Sequence, residues 1–137
     1  MSTRGPRTKS TTLAQAHAYL AKSQEYLAAA ERELGEGLHT AATSLAIHAA
    51  INAADAVCGL RLGRRSTGQS HDEVLGLLMT AGADGKELAK ELGRVLPLKT
   101  KAEYDHLDVS RTDASQAVRR AGRCVAIAQR VAAAHTR

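Results

Sequence analysis

At 137 residues the chain has room for one core and not for two folding units. It holds no Phe, no Trp and three Tyr, so a core must come from Ala, Leu and Val, whose small side chains let helices approach closely. Its formal charge of +5 is terminal, because residues 1–10 and 110–137 together carry +8 and the residues between them carry −3; such ends suit an acidic or polyanionic partner.

These limits predict an all-α fold, an up-and-down bundle of four to five helices. No run approaching about 18 apolar residues stands out, and no apolar segment follows the basic N-terminus, so a cytoplasmic protein without a membrane contact is expected. Cys58 and Cys124 lie far apart inside apolar helical patterns and lack the paired spacing of a zinc site. Both read as reduced, buried, small hydrophobes. The residues imply no metal site and no cofactor.

Residues 1–11, rich in Pro, Gly, Ser and Thr and basic, carry no periodicity and are expected to be a disordered or loosely attached tail before a single domain over 12–137. A first helix begins near Thr12, where Thr12 and Gln15 have capping-box spacing. Its apolar stripe is Leu13, Ala16, Leu20, Leu27, Ala30 and Leu34, with leucines every seven residues. A heptad of this kind reads as a core-facing stripe, with a coiled coil as the alternative. Gly35 and Gly37 stop the helix.

A second helix over about 39–62 is apolar nearly all round, the mark of a central helix. Within it Ser44, His48, Asn52 and Asp55 fall on an arc of about 80°. That polar stripe either fixes a helix contact through satisfied polar groups or forms one wall of a cleft at a subunit interface. Arg61, Arg64 and Arg65 follow at the C-terminal end, where cations complement the helix dipole. The next loop leads to Ser70 and Glu73, again at capping-box spacing. With Arg64 and Arg65 it offers a phosphate site, but it lacks the Lys-Ser/Thr arrangement and preceding strand of a P-loop.

Two further helical segments run through 72–82 and 84–96, and Pro97 interrupts the second or opens the next turn. The last helix is capped by Ser110, and its apolar face runs from Ala114 to Ala132. Opposite stand Arg119, Arg123, Arg130 and Arg137, within about 40° of one another. They form either a solvated basic face or a surface for RNA or other phosphates, with no aromatic residues among them for base stacking.

Between these helices lies "KTKAEYDHL", residues 99–107. His106 is a proton carrier near neutral pH, Lys99 and Lys101 are phosphate clamps, and Tyr104 is a donor. The plain alternative is a polar corner.

The order of "GLHTAATSLAIHAAINAADAVCGLRLG", "STGQSHDEVLGLL" and "LPLKTKAEYD", followed by a long Ala-rich helix, resembles the HEPN family over about residues 13–134. The resemblance implies an up-and-down bundle that forms a homodimer, often beside a nucleotidyltransferase or in a toxin-antitoxin pair. It also implies nucleotide or RNA binding, and in many members a metal-independent ribonuclease site. That site uses an arginine, four to six intervening residues and a histidine, contributed by both subunits to one cleft. Here His106 takes the histidine place, and Lys101 or Lys99 the arginine place. A lysine keeps the charge but makes no bidentate contact with a phosphoryl group. Asp108 replaces the tyrosine that the family's partners modify. Two readings follow: a non-catalytic dimeric binding module, ranked first, and a ribonuclease using His106, with His48, Asn52 and Asp55 in the cleft wall.

Overall fold

The computed structural model describes residues 7–68 and 70–135. Its helices are α1 (Leu13–Gly35), α2 (His39–Leu62), α3 (His71–Leu78), α4 (Gly82–Val95), α5 (Leu98–Glu103) and α6 (Arg111–His135). The expected all-α bundle is present, with α3 and α5 as short connecting helices beside four long ones.

The helix ends follow from their capping chemistry. The Thr12 hydroxyl accepts from Gln15 N while the Gln15 side chain accepts from Thr12 N, so both halves of the capping box form. Gly37 and Gly63 take left-handed backbone conformations after α1 and α2, where a side chain would be strained. At α3 Ser70 Oγ accepts from Asp72 N, and the Glu73 carboxylate accepts two hydrogen bonds from Arg7. The Arg7 side chain, with the Ser70 backbone N–H, holds that carboxyl below the usual range.

That Arg7 contact belongs to a correction. The segment through residue 11 was expected to be loose, yet Thr8–Ser10 forms a strand, β1, antiparallel to β2 (Arg64–Ser66). Thr11 N donates to Gly63 O, and Thr67 N to Arg7 O, at 2.9 Å each. Three-residue strands carry too little alternation for a periodicity reading; the ribbon forms because the end of α2 lies beside the start of α1. Residues 1–6 of that expected tail lie outside the described residues.

Helix α2 is the axis of the molecule, packed against α1, α6, α4 and α5. Ala42, Ala46, Ala49, Ala50, Ala53, Ala54 and Ala56 along it are fully buried. Contrary to the sequence expectation, α2 has the length and composition of a membrane-crossing helix. The fold uses that apolar surface as the core between helices. Helices α1 and α2 approach closely at Gly59, where an added Cβ would lie 2.8 Å from Ala16 Cβ on α1 and 2.8 Å from Thr11 Cγ2. Leu88, Leu92, Val95 and the apolar face of α6 complete the core, together with Cys58 and Cys124. Burial, joined by the charges of Asp55 and Glu91 respectively, pushes both thiols up to about 12, so they remain protonated and unreactive at neutral pH.

Gly59→Ala therefore forces α1 away from α2 and should lower unfolding stability by about 1–3 kcal/mol. Urea denaturation checks this; an unchanged midpoint would mean that the helices do not pack this closely.

Candidate functional site

Two helices begin at one end of the bundle, α2 at His39 and α6 at Arg111, with α5 and the loop 104–110 beside them. The loop is pinned by Val109, 2% exposed, whose N–H donates to Thr40 Oγ1 on α2 at 3.1 Å. Between α2 and the loop lies a groove of about 490 Å³ lined by Leu38, His39, Thr40, Ser44 and Asp108 among others. Leu38, Tyr104 and Leu107 are 53, 76 and 59% exposed, so one end of the molecule presents apolar side chains next to polar ones.

Short helix α5 is tied on two sides. Glu103 Oε1 lies 3.7 Å from His48 Nε2 on α2, and Lys101 Nζ lies 3.6 Å from Asp113 Oδ2 on α6. The His48 ring also stacks on Tyr26 of α1, with centroids 5.4 Å apart. His106 is different. Its side chain is 89% exposed, and its nearest charged group is the adjacent Asp105, 3.4 Å away. Lys99 is half-buried on α5, and Tyr104 stands in solvent.

The polar stripe of α2 splits by function. Ser44 belongs to the groove and His48 to the Glu103 contact. Asn52 donates back to His48 O at 2.8 Å, a satisfied helix-internal bond. Asp55 lies about 16 Å along the helix from Ser44, near Arg65 and not near His106's loop. Burial raises its carboxyl to about 6, and the Arg65 charge opposes that rise. Arg65 itself lies over the Tyr19 ring at 5.6 Å, while Arg64 is exposed on β2.

The arginines of α6 have acidic neighbours on α4. Arg130 reaches Asp84 at 2.7 Å and Glu87 at 2.9 Å, and Glu91 takes both Arg120 at 3.0 Å and Arg123 at 3.6 Å. Arg61 of α2 adds a second contact to Asp84 at 2.8 Å. The hydrogen bond from Arg130, followed by the charges of Arg130 and Arg61, holds the Asp84 carboxyl below the usual range. Arg119 instead faces a groove between α1 and α6, and Arg137 lies outside the described residues. Among the described residues no His, Cys, Asp and Glu cluster has the makeup of a metal site.

The structure thus brings together Ser44, Asp108 and the start of α2, and separately His48 with α5; Asp55, Arg64 and Arg65 belong near the β-ribbon. Sequence reading missed His39, Thr40 and Glu103. Thr40 and Glu103 carry no spacing signal, whereas His39 at the first turn of a predicted helix beside a glycine stop was a visible cue.

A helical bundle with a groove where two long helices begin defines the class: a small all-α domain in the HEPN style. The HEPN domain model matches residues 16–131, and the protein belongs to that family. Its function is of the HEPN type, in which ribonuclease and nucleotide-related activities are frequent. No curated protein matches the chain.

Asp55 gives a pH prediction. Its folded-state pKa near 6 exceeds the unfolded value of about 3.9, so the folded protein binds more protons and loses stability as pH rises between these values. Asp55→Asn should match wild type near pH 4 and exceed it by about 2 kcal/mol near pH 7.5. Urea denaturation at both pH values checks this; equal stability near pH 7.5 contradicts it.

Proposed function

We propose that the protein is a homodimeric HEPN module that acts by binding and not by hydrolysis, using the groove end of the bundle to dock a protein partner. The observation that carries this reading is the exposure of Leu38 in the Ser44–Asp108 groove, together with that of Tyr104 and Leu107 on the loop that supplies Asp108. Apolar and aromatic groups gathered beside polar ones are what a protein contact uses. The expected partner is a nucleotidyltransferase or an antitoxin-like protein, in a toxin-antitoxin setting.

The phosphate chemistry of the family is poorly supplied here. A ribonuclease site needs a held proton carrier and a guanidinium that clamps the phosphoryl oxygens. Here Lys101 lies 3.6 Å from Asp113, and among the described residues His106 has only its neighbour Asp105 as a charged partner. With Arg123 and Arg130 paired to α4, the basic face offers little free charge to a polyanion. The ribonuclease reading keeps one supporting observation, the open exposure of His106, which leaves its imidazole accessible to an incoming strand.

Titrating labelled single-stranded RNA and ATP at about 50 and about 200 mM salt separates these readings. Weak or undetectable binding is expected at the higher salt. In parallel, a nucleotidyltransferase encoded beside this gene should co-purify with wild type and be lost with Leu107→Asp. Tight, strongly salt-dependent RNA binding together with an indifferent Leu107→Asp would reverse the reading.

A further inference from the structure

The leucine heptad of α1 is only half used by the fold. Leu20, Leu27 and Leu34 pack one side against the core and remain partly exposed, and Leu13 is 52% exposed. Beside this stripe, α1 and α6 enclose an open groove of about 560 Å³, with Leu27, Leu34 and Val118 on its walls and Gly122 in its lining. A Cβ at Gly122 would meet nothing within 4 Å, so packing inside the chain does not require the glycine there.

The rim carries Glu31 on the α1 wall and Arg119 on the α6 wall. Both are exposed, and neither has an ion-pair partner among the described residues. This sets Arg119 apart from Arg120, Arg123 and Arg130 on the same helix, whose charges α4 satisfies. One acid and one base on opposite walls of an apolar groove make a patch complementary to itself. A two-fold axis would bring each Glu31 to Arg119 of the second copy and cover both leucine stripes at once, which is the requirement of an isologous interface.

We infer that the α1–α6 groove is the seat of a second copy of this chain, with Glu31 and Arg119 exchanging ion pairs across a two-fold axis. The inference rests on the homodimer of the reading above and assigns its face. It leaves the Leu38–Tyr104–Leu107 end open to a different partner, so each copy has one surface for itself and one for another protein.

Sedimentation equilibrium of the full chain tests this, with circular dichroism confirming that each variant is folded. Wild type should be a dimer. Glu31→Arg and Arg119→Glu should each weaken the dimer by about tenfold or more, because each replaces two attractive pairs by two repulsive ones. The double exchange should return the dissociation constant to within about threefold of wild type. Gly122→Leu fills the groove with a better helix former, so it should abolish the dimer while leaving the fold at least as stable. A wild-type dimer indifferent to all of these changes would overturn the assigned face and leave the homodimer standing. Weakened single variants without recovery in the double exchange would overturn the cross-axis pairing. A monomeric wild type would overturn both the face and the homodimer.

Discussion

Close approach between α1 and α2 is the constraint from which the rest of this structure follows. It is possible only because the facing positions are Ala and Gly, with Ala16 set against Gly59. A chain without Phe or Trp gains little from any single buried side chain, so it gathers its stabilisation from many small contacts at short helix separation. The cost is low tolerance, because a single added methyl at the crossing has nowhere to go. The benefit is a rigid axis. With α2 fixed on several sides, the first turn at His39 and Thr40 becomes a firm anchor for the loop that carries His106.

Charge plays the second organising role, and it works along a seam. The row Asp84, Glu87 and Glu91 on α4 lies opposite Arg120, Arg123 and Arg130 on α6. Pairs this exposed contribute little one at a time, about 0–1 kcal/mol, but shared acids link them into a network. Glu91, whose side chain is 12% exposed, serves two arginines, and Asp84 joins α2, α4 and α6. An excess of basic residues in the sequence therefore does not translate into an equally basic surface. The charges still without acids, Arg119 among them, carry more information about partners than the net value does.

Much of the scaffold was legible in the sequence because it rests on local rules. The capping box at Thr12, the glycine stop at Gly37, the bounds of α2 and the cap at Ser110 are short-range features that residue type and spacing disclose. The apolar face of α6 reads directly from Ala114 to Ala132. What escaped notice depends on residues far apart in the chain. The β1–β2 ribbon pairs Thr8 with Ser66, and Arg7 donates to Glu73 across 66 residues of chain. The α2 stripe looked like a single wall because its residues share a face, yet length along the axis divides it between the groove and the ribbon. The same holds for the α6 arginines, whose acidic partners sit on another helix.

On the proposed reading, this HEPN scaffold binds a partner without the phosphoryl chemistry. Lys99 or Lys101 stands where the resemblance expects an arginine, and Lys101 Nζ lies 3.6 Å from Asp113 Oδ2. The most direct measurement is cleavage of total cellular RNA by the purified protein with a chelator present, compared with His106→Ala. The account predicts that the two leave RNA equally intact. Chelator-resistant cleavage by wild type that disappears in His106→Ala would contradict it.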